Sequence, residues 1–307
     1  METSEALRNR IRAAEEISNV FKTMKGLAAV HMRQHQRVVK ALESYHETID
    51  LGLQVALRGA PPEMTQRGRT EHPGRTIGVV FGSDQGFCGP LNRELVARAH
   101  DWQRRHGTRE SDLAAVGARI VDDLEEEGHA LLDAFPSPTA PGGIGRCVED
   151  MLLAVEAWRA EESVARVHLI HARPGSDCSF RLVEVQLLPL DSKLFRALSR
   201  KEWPTNQLPL LVDERRRLFS SLVRQHLFVS LYRAFAESLA SENAARLAAM
   251  RTAEENIEER LSELRQTYHV HRQDGITSEL LDVTAGYEAL RGKSDRRIAA
   301  ERDRKIG

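Results

Sequence analysis

The stretch LRNRIRAAEEISNVFKTMKGLAAVHMRQHQ, residues 7–36, decides the fold of this chain. Apolar side chains recur in it every three or four residues, and no proline interrupts it, so it predicts an amphipathic helix. The same rhythm continues to residue 57, which extends the predicted helix over about 5–57. Its apolar positions are Leu7, Ile11, Ala14, Ile17, Phe21, Met24, Ala28, Val38, Leu42, Tyr45, Ile49 and Leu53.

A second proline-free helical pattern covers about residues 213–290, at the other end of the chain. Both segments far exceed the mean length of a globular helix, ~11 to 12 residues, so each needs a partner for its apolar stripe. Because they lie at opposite ends of the chain, they are expected to pair antiparallel, with the central residues inserted between them. Charge supports the pairing: residues 8–40 carry eight basic side chains against two acidic ones, whereas residues 251–264 are rich in glutamate.

Between the two helices, short apolar runs alternate with helical patterns. TIGVVFGS, residues 76–83, is typical of a buried strand, and the alternation that follows predicts a small Rossmann-like sheet with helices on both faces. A hairpin is expected at one edge, turning at RPGSDCS, followed by an irregular return over 191–211. The predicted class is therefore α/β, an antiparallel coiled coil with an inserted Rossmann-like domain. The predicted divisions are an N-terminal helix 1–58, a linker 59–75, an α/β domain 76–207, a C-terminal helix 208–291 and a basic extension 292–307.

Composition excludes several classes of protein. No run of ~18 apolar residues is present, so no segment is expected to span a bilayer. The net charge of −1 argues against a generally basic nucleic-acid binder. Cys88, Cys147 and Cys178 lie far apart and are expected to be free thiols.

Two places in the sequence invite a chemical interpretation. GSDQGFCG, residues 82–89, follows a strand as a phosphate-binding loop does, but it lacks both the P-loop lysine and the GxGxxG spacing. A nucleophilic Cys88 would need a base that no spacing singles out, so packing is the favoured role of this residue. His31 and His35 stand four apart, a spacing that can bind metal, yet no HExxH pattern accompanies them. We therefore predict no catalytic residue, no cofactor and no metal.

The N-terminal stretch above, the motif GSDQGFCGPLN and the C-terminal segment RQDGITSELLDVTAGYEAL together resemble the gamma subunit of F-type ATP synthases. The three motifs occur in the family's order and span about residues 5–290. The resemblance implies a central stalk that turns inside a catalytic hexamer of alpha and beta subunits. It also implies an epsilon subunit and a membrane c ring as partners, and a location on the cytoplasmic face of the bacterial inner membrane.

Aligned on these motifs, a set of side chains falls where the family contacts the beta subunits or forms rotor contacts: Met24, Lys25, Arg33, Arg272, Gln273, Thr277 and Glu279. Two departures from the family pattern are Gly26 followed by Leu27, where the family commonly has Met or a similar residue, and the added basic tail after residue 290. They indicate a divergent branch, such as the sodium-translocating type. Two alternatives to a rotor stay open at this point. They are a free-standing coiled-coil adaptor and a nucleotide-binding enzyme built on the α/β domain.

Overall fold

The computed structural model describes residues 4–58, 74–107, 112–203, 207 and 214–306, and the side chains of all of these except 192–194 and 288–306. Most of the predicted linker, residues 59–73, lies outside the described residues, as do residues 208–213. The helices are α1 Ser4–Leu57, α2 Leu91–His106, α3 Ala118–Glu126, α4 Ile144–Glu161, α5 Ser192–Arg200 and α6 Arg215–Ile306. The strands are β1 Arg75–Phe81, β2 Leu113–Val116, β3 Leu131–Phe135, β4 Val164–Pro174 and β5 Phe180–Leu188.

The strands form one five-stranded sheet in the order β3-β2-β1-β4-β5. β1, β2, β3 and β4 run parallel, and β5 returns antiparallel beside β4. The predicted sheet with its edge hairpin is therefore confirmed. The parallel strands read as nearly continuous apolar runs because both faces of the sheet are covered.

Alternate side chains of β1 face two separate cores. Ile77, Val79 and Phe81 pack with α4 and with residues 231–239 of α6. Val80 points to the opposite face and packs with α2 and α3. One stretch of α6 is thus a layer of the α/β core.

The chain divides into two compact units, one of Met24–Arg251 and one of Met1–Thr23 with Thr252–Gly307. In the larger unit, Ile49, Leu53 and Leu57 of α1 form a core with Phe195, Leu198 and Val229. In the smaller unit, Leu7 and Ala14 of α1 are buried with Leu261 and Leu264 of α6. In each unit α1 packs against α6, which confirms the predicted pairing of the terminal helices.

The buried stripe of α1 differs in detail from the predicted one. Ile17 and Tyr45 are each 45% exposed, while Ser18 and His35 of the same helix are buried. Burial is the main cause that lowers the pKa of His35 to about 4, and repulsion from His31 is the second. The imidazole of His35 is therefore neutral at this buried position.

Two further expectations need correction. The return over 191–211, expected to be irregular, contains α5, whose Phe195 and Leu198 pack on α1. The second long helix does not end near residue 290 but continues as α6 to Ile306. Within the described residues, no helix has the length and apolar character needed to cross a membrane.

Candidate functional site

The junction between α6 and the sheet contains a buried carboxylate shared by a histidine and two arginines. Glu237 of α6 is 1% exposed. Its Oε2 lies 2.9 Å from His171 Nε2 and accepts a hydrogen bond of 2.7 Å from Arg173 Nε, both on β4. Its Oε1 accepts a bond of 2.8 Å from Arg233 Nε, one turn earlier on α6. The cluster ties the helix to the sheet by directional, charge-assisted bonds.

The charge state of this cluster follows from its bonding. Burial raises the pKa of Glu237, but hydrogen bonds from His171, Arg233 and Arg173 outweigh it and bring the pKa to about 2. Burial lowers the pKa of His171 despite the bond to Glu237. His171 is therefore a neutral imidazole that donates through Nε2 to an ionised carboxylate.

A second buried cluster ties α6 to the loop 82–89, which joins β1 to α2. Arg246 donates 2.7 Å to Glu242 Oε1 on the same helix and 3.3 Å to the carbonyl of Gln85 in the loop. Its guanidinium also lies 3.1 Å from Cys88 Sγ. The loop is thus held to the helix by one arginine, and both clusters lie in the unit Met24–Arg251.

The same loop supplies hydrogen-bond acceptors to the first backbone N–H groups of α3. These are groups that a bound phosphate could otherwise satisfy. Asp84 Oδ1 accepts a 3.1 Å bond from the backbone N–H of Ala118, the first residue of α3. The backbone N–H groups of Arg119 and Ile120 point to the carbonyl of Ser83. Asp84 and the carbonyl of Ser83 therefore occupy the N-terminus of α3, a position at which helices can bind anions.

A groove of about 730 Å³ runs beside this loop, between α2 and α3. Four carboxylates line it against two arginines, and these residues are Asp101, Asp123, Glu126, Glu127, Arg93 and Arg119. The acidic excess disfavours a nucleotide phosphate, which needs the opposite sign of charge.

The thiol of Cys88 is not arranged as a nucleophile. Burial, and then the negative charge of Glu242, raise its pKa to about 11. The thiol lies 3.2 Å from the carbonyl of Gln85, a donor geometry rather than one that activates a thiolate. The packing role predicted for Cys88 agrees with this geometry.

The structure places four of the predicted contact residues on one exposed stretch of α6. Arg272, Gln273, Thr277 and Glu279 all have exposed side chains. Thr277 Oγ1 donates 2.9 Å to the carbonyl of Gln273, which is a bond within the helix. These four therefore share one helical segment that leaves them open to solvent.

The other three predicted contacts lie on α1 and belong to the larger unit. Met24 and Lys25 are half-buried, and Arg33 is exposed. Arg33 stands eight residues beyond Lys25, more than two helical turns, so the three do not form one compact patch.

Sequence reasoning missed an apolar stripe on the same stretch of α6. Ile276, Leu280, Val283 and Tyr287 recur at helical spacing and are between 49% and 71% exposed. The signal was present as ordinary amphipathic periodicity. The predicted pairing of the terminal helices makes α1 the partner of this stretch, but Leu7, in the first described turn of α1, is already buried with Leu264.

A family model described as ATP synthase matches residues 3–290. The ATP synthase gamma chain of Synechococcus sp. (strain PCC 6716) is 28% identical, over 95% of this chain and the whole of that protein. The chain belongs to the ATP synthase gamma family. The gamma chain of Thermosynechococcus vestitus is 27% identical with the same coverage.

The fold agrees with this membership. The rotor of the Euglena gracilis mitochondrial ATP synthase contains a chain that superposes with a TM-score of 0.62. At 16% identity, the match covers 89% of this gamma chain and 98% of the Euglena chain. This gamma chain is the central-stalk subunit of an ATP synthase and is not catalytic.

The two clusters that tie α6 to the sheet had no visible signal in the sequence of this gamma chain. Glu237 and its partner His171 are 66 positions apart, and Arg246 lies 158 positions from Cys88. Charged residues on a helix normally indicate a solvated face, so only the fold reveals that these are buried.

Proposed function

We propose that this chain transmits torque between a membrane c ring and the catalytic hexamer of alpha and beta subunits. The observation that carries the proposal is the pair of buried ionic clusters at Glu237 and Arg246. Because the bonds are directional and desolvated, α6 cannot slide or rotate against the sheet without breaking several of them. Such a junction suits a part that must pass a load from a globular domain to a helix.

The proposed division of labour follows the predicted segments. The terminal helices, 1–58 and 208–291, serve as the shaft inside the hexamer, and the domain 76–207 contacts the c ring and the epsilon subunit. The linker 59–75 joins the first helix to that domain, and the extension 292–307 continues the shaft. In this role the chain is a peripheral protein on the cytoplasmic face of the bacterial inner membrane.

The contacts with the beta subunits are proposed at the seven residues that the family motifs select. The exposure of Arg272, Gln273, Thr277 and Glu279 supports this, since none of them serves the packing of the described chain. The exposed stripe of Ile276, Leu280, Val283 and Tyr287 runs beside them and offers an apolar surface for the same hexamer. Met24, Lys25 and Arg33 are proposed to contact the part of the hexamer that surrounds α1.

Substitution of the contact residues tests the proposal in the assembled complex. A hydrogen bond to a partner contributes on the order of 1 kcal/mol, so Gln273→Leu or Arg272→Ala should slow coupled ATP synthesis about fivefold without impairing assembly. Synthesis is measured in membrane vesicles energised by an ion gradient, and assembly by copurification of alpha and beta.

Gln266→Leu is the matched control, because Gln266 is an exposed glutamine on the same helix outside the proposed contacts. Equal synthesis rates for the Gln273 and Gln266 variants would refute the assigned contacts. Recovery of this chain without alpha and beta subunits would refute the torque-transmitting role itself.

We also propose that the chain belongs to the divergent sodium-translocating branch of the family. The identity of 28% to a curated gamma chain and the residues beyond 290, where the family match stops, support this. ATP hydrolysis by the reconstituted complex should then pump ²²Na⁺ into vesicles. Proton pumping that is unaffected by sodium would contradict the assignment.

A further inference from the structure

A cluster of metal-ligating side chains joins α1 and α6 inside the unit Met24–Arg251. His46 and Asp50 stand four residues apart on α1, and His226 comes from α6. One nitrogen of each histidine and a carboxylate oxygen of Asp50 all lie within 4.8 Å of one another. The two imidazole rings are 5.1 Å apart between centroids.

The polar atoms of this cluster are buried without partners. His46 Nδ1, Asp50 Oδ1 and His226 Nδ1 are shielded from solvent and have no hydrogen-bond partner among the described residues. A buried polar atom left in this state costs about 1 to 3 kcal/mol. The three residues that carry these atoms are the same three whose ligand atoms lie within 4.8 Å of one another, which points to one shared cause.

An ion pair between His46 and Asp50 does not supply that explanation. The nearest approach, His46 Nε2 to Asp50 Oδ1, is 3.9 Å, which is beyond hydrogen-bonding distance. Such a pair would also leave His226 unsatisfied.

We propose that His46, Asp50 and His226 bind a divalent transition-metal ion, of which zinc is the best match to two imidazoles and one carboxylate. Zinc binds these ligands at about 2.0 to 2.2 Å in a tetrahedron, so the ligand atoms should stand roughly 3.3 Å apart. Side-chain rotations would have to bring the ligand atoms from within 4.8 Å of one another to that spacing. The side chains of His46 and Asp50 are 27% and 22% exposed, so a water molecule could serve as the fourth ligand.

A second group with similar ligands shows what a satisfied cluster looks like. His106 Nδ1 lies 3.0 Å from the carbonyl of Trp102, and Glu184 accepts a 2.8 Å bond from Arg105. Glu184 also lies 3.1 Å from His168 Nδ1. Because these groups already have partners, the group of His106, His168 and Glu184 has no need of an ion, and it provides an internal control.

Metal binding at the proposed site would join α1 to α6, since each helix supplies ligands. An ion that binds only the folded chain stabilises it by mass action. The site lies apart from the sheet junction and from the proposed beta contacts. Its presence or absence is therefore independent of the torque-transmitting role.

The test uses the purified full-length chain, stripped with a chelator and titrated with Zn²⁺ by calorimetry and with Co²⁺ by visible absorption. We expect one ion per chain at this site, the absorption of tetrahedral Co²⁺, and a rise in Tm with added Zn²⁺. His226→Gln and the isosteric Asp50→Asn should each weaken binding at least about 100-fold and abolish the rise in Tm. His168→Gln should behave as the wild type does.

Circular dichroism of each stripped variant establishes that it is folded before titration. The proposal is overturned if the wild-type chain shows no rise in Tm with Zn²⁺. It is also overturned if His226→Gln and Asp50→Asn bind as the wild type does, or if His168→Gln abolishes the Co²⁺ absorption.

Discussion

At the scale of single residues, the thiol of Cys88 is expected to be unreactive. With a pKa of about 11, the fraction of this thiol that is ionised at pH 7.5 is more than 100-fold below that of a free cysteine. Only the thiolate is nucleophilic, so the rate of alkylation should be lowered accordingly. Alkylation of Cys88 by iodoacetamide should be slower than that of Cys178, which is less buried. Peptide mass spectrometry over a time course measures both rates in one sample, and equal rates would contradict the buried, protonated thiol.

Gly82, which follows β1, is the residue where the strand-to-helix turn tolerates no side chain. A Cβ atom there would lie 2.3 Å from the Cβ of Ile120 on α3. Gly82→Ala should therefore lower the free energy of unfolding by about 1 to 3 kcal/mol or more, the usual cost of an overpacked core.

Gly86→Ala is the matched control for Gly82→Ala in the same loop, because a Cβ on Gly86 would meet nothing within 4 Å. Urea denaturation of the two variants compares them directly. A Gly82 variant as stable as the Gly86 variant would show that α3 does not pack on this turn as described.

At the scale of elements, the bond between α6 and the sheet should make the chain sensitive to acid. The pKa of Glu237 is about 2 in the folded state against 4.5 as its ordinary value, which corresponds to ~3 kcal/mol at neutral pH. Because the folded pKa is depressed, this stability is fully present above about pH 4.5 and is lost as the pH falls toward 2. His171 adds to the loss with the same sign, since its pKa is lowered and its protonation favours the unfolded chain.

Glu237→Gln should destabilise the chain by about 2 to 3 kcal/mol at pH 7, because it removes the charged hydrogen-bond partner of Arg173 and Arg233, which are 29% and 36% exposed. The difference from wild type should narrow as the pH falls below about 4.5. Urea denaturation across pH 3.5 to 7 measures this, with Glu255→Gln as an exposed control on the same helix. A difference that is constant with pH would mean that Glu237 is not ionised in the folded chain.

The two elements that the sequence predicted least well are α1 and α5, and the reasons are physical. Apolar periodicity placed Ile17 and Tyr45 in the seam of α1 because they are the largest apolar side chains of their turns. Of the predicted positions, Leu7, Ala14, Ala28 and Ile49 are buried, and together with His35 they are spaced by multiples of seven residues, the period of a coiled coil. The buried Ser18 and His35 are small or polar, so a pattern of apolar side chains does not reveal them.

α5 was missed for a related reason. Its nine residues are too few to show a clear period, and a proline-containing segment follows them closely. By contrast, the sheet was predictable from its strands alone, because a buried parallel strand is a short apolar run bounded by turn residues. The ionic clusters around Glu237 and Arg246 could not be predicted, since they join residues that only the completed sheet brings together.

At the scale of the whole molecule, α6 has two parts that the sequence pattern does not distinguish, one packed within the chain and one exposed. Up to Tyr268 its large apolar side chains are at least half-buried against the rest of the described chain. From residue 272 to residue 287 every side chain is exposed, although the apolar spacing continues unchanged. Apolar periodicity indicates that one face of a helix is buried in a contact. It does not show whether that contact is with the same chain or with a partner.

Deletion of residues 272–307 tests whether the end of α6 serves binding to the hexamer rather than stability of the chain. It removes no buried side chain among the described residues, so the free energy of unfolding of the isolated chain should change by less than about 0.5 kcal/mol. The deletion removes roughly 50 Å of helix at ~1.5 Å per residue, and the proposed contacts with it. Coupled ATP synthesis by the complex should therefore fall far more than in Gln273→Leu.

Leu264→Ala is the converse control: it should lower the free energy of unfolding by about 2 to 4 kcal/mol because Leu264 is buried against α1. A truncated chain that is as unstable as Leu264→Ala would place the end of α6 in the core. A truncated chain that still supports normal synthesis would mean that the exposed stripe is not where the hexamer holds the shaft.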